Sequence, residues 1–313
     1  MNKLMRRNAL PRGARRRHRD SADIIFYALL LILPLAQLLI FYFGVNLQSI
    51  FMAFQRYDVY NNKFIWDIQT NIDRFLLDIS QAGFWTMIKN SLVVWLTTSL
   101  TGTVLAVIFA YYIYRKNWMS NFFKFVLFLP SVLPGILLAV MYEKFVGMGV
   151  PAFLEYLCNT TVPNLFNSSA DGIRLNMITL FTVWVSFGPQ VLVYTGAMDR
   201  VDPAILEAGR IDGTNSVQEF FKIILPSIAS TVSTFLIMGV ASIFTNQNNL
   251  FSFLSYNAAS TEKTIGYYLY TLVYMDMQGK TGYCYAAFLG IICTLIVIPL
   301  AFGARKLFDR SDD

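Results

Sequence analysis

The sequence EAGRIDG at residues 207–213, followed by FFKIILP at residues 220–226, lies between two long apolar segments of the chain. Just before it, Asp202 is a favourable helix N-cap, and Pro203 suits the first helical position, where its missing N–H is not needed. Gly213 can adopt the left-handed conformation that ends a helix. The local sequence therefore predicts a short helix after Pro203 that ends in a glycine turn.

A second short helix is expected directly after this turn. Ser216-Val217-Gln218-Glu219 has the pattern of a capping box, and Leu225-Pro226 marks a kink where the next apolar segment starts. The first helix is partly apolar and nearly uncharged, whereas helices that lie on a bilayer are usually rich in Lys and Arg. Docking against a protein is therefore favoured over lying on the membrane surface.

Composition places the chain among the all-α polytopic membrane proteins. Of its 313 residues, 56% are hydrophobic and only 14% are charged, which is unlike a water-soluble domain. Six apolar segments reach or approach the about 20 residues that a helix needs to cross a bilayer. They are residues 24–43, 91–114, 125–142, 175–198, 223–245 and 283–304.

The distribution of basic residues predicts the orientation. The chain is expected to consist of a basic arm (1–20), a six-span domain (21–306) and a short tail (307–313). Basic residues concentrate in the arm, after the second span, in the 200–226 loop after the fourth span, and where the last span meets the tail. These residues are Lys3, Arg6, Arg7, Arg12, Arg15, Arg16, Arg17, Arg19, Arg115, Lys116, Lys124, Arg200, Arg210, Lys222, Arg305, Lys306 and Arg310. Because positive residues favour the cytoplasmic side, both termini and the 200–226 loop are expected in the cytoplasm. The arm adjoins a span and lacks interleaved aromatic residues, so it is expected to orient that span rather than to bind nucleic acid.

The predicted spans contain no Asp, Glu, Lys, Arg or His away from their ends. Proton-coupled carriers usually need an ionisable relay inside the membrane, so this class is disfavoured, while sodium coupling through backbone carbonyls remains open. The chain also lacks a complete phosphate-binding P-loop, so no cofactor is expected and energy must come from a partner. Its three cysteines lack metal-ligand spacing. A Cys158–Cys284 disulfide is conceivable, but free thiols are favoured.

Four consecutive amides follow the fifth span, and side-chain amides both donate and accept hydrogen bonds, as hydroxyl-rich ligands such as sugars require. Aromatic residues on the fourth span offer apolar faces for a sugar ring, and Gly188-Pro189 can break that helix beside a cavity. The alternative is a polar cap with interfacial aromatics and a packing kink. The candidate pathway residues are Trp184, Phe187, Gly188, Tyr194, Asn246, Gln247, Asn248 and Asn249.

The 200–226 loop resembles the cytoplasmic EAA loop of ABC-importer permeases, especially those of the carbohydrate branch. Four further segments are similar to that family in the same order: the F-x(5)-N-S-L sequence at 84–92, FLPSV at 128–132, EKTIGYYLY at 262–270 and YAA at 285–287. Gly209 stands where the family usually has Ala. The chain also lacks the G-G-P turn after the fifth span and the large insertion after the third that the larger maltose permease subunit has, which points to another sugar.

The resemblance implies a type I ABC-importer permease, a transport subunit without enzymatic activity in a bacterial cytoplasmic membrane. Two permease subunits, usually non-identical, would form the pathway, two ATPase subunits would bind ATP and Mg, and an external binding protein would deliver the sugar. Glu207 would pair with a basic residue in an ATPase cleft, and Gly213 would permit the turn. The coupling residues carried over from the family pattern are Glu207, Ala208, Gly209, Asp212, Gly213, Phe220, Leu225 and Pro226.

Two other classes of function are weighed against a sugar permease. An ABC permease for glycerol phosphate, an amino acid or a polyamine would have the same loop, and basic residues facing the pathway would favour the phosphate ester. A membrane-embedded enzyme would need ionisable groups at membrane depth, and a scaffold would not need the loop. The sequence favours the sugar permease because it shows the loop and no charged residue inside the spans.

Overall fold

The structure is a computed structural model that describes residues 21–159, 164, 166, 172–274 and 281–309. The predicted basic arm at 1–20 and the last tail residues, 310–313, lie outside the described residues. The proposed domain division and the cytoplasmic position of both termini therefore stay predictions.

The first span is a compact unit by itself. Helix α1 (Ser21–Gln37) continues through a π-helical segment (Leu38–Gly44) into α2 (Val45–Met52). The apolar part, Ile25–Met52, is 28 residues long and can cross a membrane. It is longer than the predicted 24–43 because the π-helical segment carries the helix past Gly44 instead of ending it.

The remaining elements belong to a second compact unit, Met52–Asp313. They are, in chain order, β1 (Gln55–Asp58), β2 (Lys63–Trp66), α3 (Gln69–Ser80), α4 (Ala82–Tyr114), α5 (Ser120–Val132), α6 (Gly135–Lys144), a π-helical segment (Phe145–Gly149), α7 (Val150–Cys158), α8 (Ile173–Met198), α9 (Pro203–Ile211), α10 (Ser216–Glu219), a π-helical segment (Phe220–Ile224), α11 (Leu225–Ser227), α12 (Ala229–Ala241), α13 (Leu250–Leu254), α14 (Ile265–Tyr274) and α15 (Thr281–Asp309).

The described residues contain five helices that are long and apolar enough to span a membrane, and a sixth span if one bent pair of helices is counted as one. The bent pair is Ser216–Ser227 with Ala229–Ala241, which meet at 65°. This confirms a helical, multi-pass membrane protein with up to six spans. The hairpin of β1 and β2, an antiparallel pair with Gln55 opposite Trp66, is a small departure from the all-α prediction.

The predicted third span, 125–142, is wrong in its bounds. It straddles α5 and α6, which are separated at Leu133 and Pro134. Leu133 has an extended backbone, with ψ of 148°, because a proline disfavours the helical conformation of the residue before it. The helix that is long enough to cross is Gly135–Cys158. The second span also starts earlier than predicted, at Ala82.

Helices α4 and α8 make the most extensive helix contact in this unit. On α4, Gly102 is buried, and Ala106 and Ala110 are fully buried in one core cluster with Phe187 and Val191 of α8. Small side chains let helix backbones approach closely, which is the main source of packing energy in lipid. All three cysteines are free thiols: Cys158 is exposed, while Cys284 and Cys293 are buried.

Helix α8 runs without interruption through Gly188-Pro189, so the predicted break in the fourth span is absent. Gly188 instead allows α5 to pack against α8. A Cβ added at Gly188 would lie 2.0 Å from the carbonyl oxygen of Leu127. Prolines are tolerated inside transmembrane helices where neighbouring helices enclose the freed backbone group, and this tight crossing provides such an enclosure.

We predict that Gly188→Ala destabilises the protein by about 1–3 kcal/mol, because the added methyl group meets backbone that cannot rotate away. Gly196→Ala on the same helix is the matched control, since nothing lies within 4 Å of its added Cβ. The measurement is the thermal unfolding midpoint in detergent. Equal midpoints for the two variants would contradict the tight α5–α8 crossing.

Candidate functional site

The 200–226 loop has the predicted helix and turn. Asp202 caps α9, since its Oδ1 accepts a hydrogen bond of 2.9 Å from the N–H of Ala204, and Pro203 is the first helical residue. Gly213 has a φ of +78°, in the left-handed region. These features confirm the cap and the turn predicted from the sequence. Each depends only on neighbouring residues, which is why the sequence could predict it.

The predicted capping box is wrong by one residue. Asn215, not Ser216, is the N-cap of α10: its Oδ1 accepts from the N–H of Gln218 at 2.8 Å, and Gln218 Oε1 accepts from the N–H of Asn215 at 3.0 Å. Asn is as good an N-cap as Ser, and residue 215 has the extended backbone that a cap needs. Glu219 therefore takes no part in the capping box, and it is buried, with 5% of its surface exposed.

Helix α9 docks through one face. Leu206 is buried with Met198, Ile224 and Ile228 in the core cluster shared by α4 and α8. Gly209 is also buried, and a Cβ added there would lie 2.7 Å from Cδ1 of Ile223. The glycine at the third motif position therefore lets α9 lie close to the following π-helical segment.

The opposite face of α9 is free within the described structure. Glu207, Ala208 and Asp212 are exposed, and the side chain of Ile211 is 86% exposed. Glu207 makes no ion pair with any residue that the structure describes. This face therefore presents an apolar side chain beside exposed carboxylates.

The other predicted coupling residues place the loop against the spans. The ring of Phe220 lies 4.9 Å from that of Tyr111 on α4, and Leu225 packs against the core cluster. Pro226 is exposed at the start of α11, just before the 65° bend into α12. The bend itself lies at Ile228, whose backbone leaves the helical region with φ of −103° and ψ of 6°.

A polar cavity of about 310 Å³ lies between α4, α8 and α12 with the loop that follows it. Helix α12 approaches α4 at Gly239, where an added Cβ would lie 2.8 Å from Ser99 Oγ and 3.4 Å from Trp95 Nε1. The residues that line the cavity are Trp95, Thr98, Ser99, Thr103, Thr182, Ser186, Gln190, Phe235, Met238, Gly239, Ser242, Ile243, Asn246 and Asn248. None of these described lining residues is charged.

Two buried polar atoms in this lining lack a hydrogen-bond partner in the described part of the chain: the indole Nε1 of Trp95 and the amide Oε1 of Gln190. Hydroxyls nearby, such as those of Thr98 and Ser242, donate to carbonyls of their own helices and keep an oxygen free to accept. Unpaired buried donors and acceptors are unfavourable unless water or a ligand pairs with them. The described lining of the cavity therefore offers hydrogen-bonding groups but no charged group.

All four amides of the predicted cluster make hydrogen bonds that hold the loop, and two of them also line the cavity. Asn246 Oδ1 accepts from the N–H of Asn248 at 2.8 Å, and these two residues are in the cavity lining. Gln247 Oε1 accepts from the N–H of Phe251 at 2.9 Å, and Asn249 Nδ2 donates to Thr182 Oγ1 at 3.3 Å.

The four residues predicted on the fourth span lie outside the cavity lining. Trp184 is 40% exposed and stacks on Tyr142, Phe187 and Tyr194 are buried in the core cluster, and Gly188 is at the α5–α8 crossing. Their contact with a sugar stays a prediction.

Sequence reasoning missed most of the cavity, although the pattern is visible in the printed sequence. Thr182, Ser186 and Gln190 recur every four residues on the fourth span, and Ser99 and Thr103 do so on the second. Such spacing puts polar side chains on one face of a helix. A polar stripe on a membrane span predicts a cavity, because these groups are unfavourable against lipid.

Comparison with known proteins identifies the family. Residues 102–311 match the family described as "Binding-protein-dependent transport system inner membrane component". The match covers more than half of the chain, and the chain therefore belongs to this family of ABC-importer membrane subunits.

Two relatives and one solved structure illustrate the range of similarity. The multiple sugar-binding transport system permease protein MsmF of Streptococcus mutans is 23% identical over 269 residues, which are 85% of this chain and 89% of the relative. The galactooligosaccharides transport system permease protein GanP of Bacillus subtilis is 26% identical over 278 residues, 84% of this chain and 66% of the relative. A chain of a bacterial alginate ABC transporter, solved in complex with an alginate pentasaccharide-bound periplasmic protein, shares the fold with a TM-score of 0.71 and 19% identity, covering 93% of this chain and 96% of that one.

We predict that Gly213→Ala loosens the 200–226 loop, since a left-handed conformation costs a residue with a Cβ about 1–2 kcal/mol. Gly213→Asn is the matched variant, because asparagine tolerates this conformation better. The readout is the rate of tryptic cleavage at the exposed Arg210 and Lys222, expected to rise about fivefold or more for alanine and less for asparagine. Identical rates for both variants and the unchanged protein would show that the turn is not strained.

Proposed function

We propose that this chain forms half of the translocation pathway of an ATP-driven importer for a neutral sugar or oligosaccharide. The observation that carries the proposal is the uncharged polar cavity between α4, α8 and α12. Relatives named for transport of multiple sugars and of galactooligosaccharides support it.

The chemistry of the cavity fits a sugar hydroxyl. A hydroxyl can accept from the free Trp95 N–H and donate to the free Gln190 Oε1, and the amides of Asn246 and Asn248 add further donors and acceptors. The rings of Trp95 and Phe235 supply apolar surface for the face of a pyranose. Polar groups that fix orientation within an otherwise apolar lining are typical of small-ligand sites.

The alternative solutes fit less well. Glycerol phosphate, amino acids and polyamines all carry charge, and an ion moved from water into a site without a countercharge is strongly disfavoured. The described lining of the cavity offers hydroxyls, amides and an indole but no ionised group. A neutral solute is therefore the better match.

The free face of α9 is the proposed contact for a separate ATPase. Glu207 would pair with a basic residue of a cleft on that subunit, with Ala208, Ile211 and Asp212 beside it. ATP and Mg would belong to the ATPase dimer, a second and usually non-identical permease would complete the pathway, and an external binding protein would deliver the sugar. Closure of the ATPase dimer would then move the loop and switch access across a bacterial cytoplasmic membrane.

We expect Glu207→Ala to lower sugar uptake by the assembled transporter about fivefold or more, because it removes a charge-assisted contact with the ATPase. Glu155→Ala on α7 is the control, since Glu155 is also an exposed carboxylate but lies outside the loop. The measurement is uptake and ATP hydrolysis by the purified complex in vesicles, with binding protein and a panel of neutral mono- to tetrasaccharides. If Glu207→Ala behaves like the control, the loop is not the coupling element.

We expect Trp95→Phe and Gln190→Leu to raise the sugar concentration for half-maximal uptake about tenfold, since each leaves a ligand hydroxyl without its partner. Trp118→Phe is the matched control because Trp118 is 80% exposed and away from the cavity. ATP hydrolysis without sugar should remain unchanged in all three. Unaltered half-saturation in both cavity variants would exclude this cavity from the pathway.

A further inference from the structure

Glu219 is a buried carboxylate between the 200–226 loop and the second span. It is the last residue of α10 and its side chain is 6% exposed. A carboxylate at this depth is unfavourable unless charged and hydrogen-bonded partners compensate for the lost water. Its partners therefore show which elements it connects.

The closest partners of Glu219 are at the C-terminal end of α4. The hydroxyl of Tyr111 lies 3.2 Å from Glu219 Oε1 and shares its one proton between this oxygen and the nearer carbonyl oxygen of Ser216, while Nη1 of Arg115 lies 3.7 Å from Glu219 Oε1. Arg115 directly follows α4, and its hydrogen bond to Tyr111 raises the pKa of the guanidinium, which keeps it charged.

The same two residues of α4 also bind the start of α10. Tyr111 donates to the carbonyl oxygen of Ser216 at 2.8 Å, and Nη1 of Arg115 donates to Ser216 Oγ at 2.7 Å. Both ends of the one-turn helix α10 are thus fastened to the second span. Polar contacts that share donors in this way act as one network rather than as separate bonds.

A weaker contact reaches α9. Nε of Arg210 lies 4.0 Å from Glu219 Oε2, but the Arg210 side chain is 66% exposed, so solvent screens this pair. Glu219 is therefore tied more closely to α4, through the nearer and less exposed arginine and the Tyr111 hydroxyl, than to the helix that carries Glu207.

We infer that Glu219 is the positioning residue that transmits movement of the 200–226 loop to the second span, through Arg115 and Tyr111. The inference rests on the proposed function, because it assumes that an ATPase moves α9. Trp95, Thr98, Ser99 and Thr103 of α4 line the cavity, so a displacement received at Arg115 is applied to the helix that contacts the sugar. Loss of this joint would let the loop move while the cavity stays closed.

The test is the number of sugars imported per ATP hydrolysed by the complete transporter in vesicles. Glu219→Gln keeps the shape and can still accept from Tyr111, but it removes the negative charge. We expect the transported-to-hydrolysed ratio to fall at least about fivefold, with hydrolysis itself maintained. A purely structural role would lower both rates together and leave their ratio unchanged, which would overturn the inference.

Paired variants test the route. Arg115→Gln should lower the ratio as much as Glu219→Gln, and the double variant should be no worse than either single one, because all three remove the same joint. Arg210→Gln should have a smaller effect, in keeping with its exposure. The joint between Glu219 and Arg115 would be contradicted if the double variant lowered the transported-to-hydrolysed ratio by the product of the two single effects. It would also be contradicted if Arg210→Gln lowered the ratio more than Glu219→Gln.

One control variant and one comparison separate failure of this inference from failure of the proposed function. Asp67→Asn removes the partner of an ion pair far along the chain, where Arg56 Nε lies 3.2 Å from Asp67 Oδ2, and should leave the ratio unchanged. If Glu207→Ala uncouples the transporter but Glu219→Gln does not, the joint is wrong and the loop function stands. If neither variant changes uptake or hydrolysis, the coupling role proposed for the loop fails as well, and if the unchanged complex imports no sugar, the proposed function itself fails.

Discussion

Close approach of α4 and α8 is the constraint on which the second unit depends. In a bilayer there is little hydrophobic drive for helices to associate, so close packing must hold them together. Gly102, Ala106 and Ala110 let α4 lie against α8, and Gly188 lets α5 pack closely against α8. The cavity lies on this helix pair, and the 200–226 loop is docked beneath it. Both candidate sites therefore depend on residues that never touch a ligand.

Polar clamps hold the two ends of this helix pair. At one end, Arg174 of α8 forms an ion pair with the fully buried Glu262, and Asn90 of α4 donates to the carbonyl oxygens of Thr261 and Lys263. At the other end, Arg115 and Glu219 join α4 to the loop. On this helix pair, Arg174 and Arg115 lie at the ends, where each is paired, and the described residues that line the cavity between those ends are uncharged.

Features set by neighbouring residues were predictable from the sequence, whereas features set by distant residues were not. The cap at Asp202, the turn at Gly213 and the helical, multi-pass architecture follow from local chemistry. The predicted bounds of the third span were wrong because Pro134 disfavours a helical conformation at Leu133 and so ends α5 inside the apolar run. The inward turn of Glu219 was missed since its partners on α4 are about a hundred positions away and invisible to local patterns. The polar stripe of Thr182, Ser186 and Gln190 was readable by its period, but its significance requires the facing helices.

The free thiols have a practical consequence for biochemistry. Cys158 is the exposed cysteine, while Cys284 and Cys293 are enclosed by other side chains. A thiol-reactive fluorophore should therefore attach to the native chain at one position, without any cysteine being removed. One dye per chain turns stepwise photobleaching into a count of how many copies of this subunit each purified assembly contains.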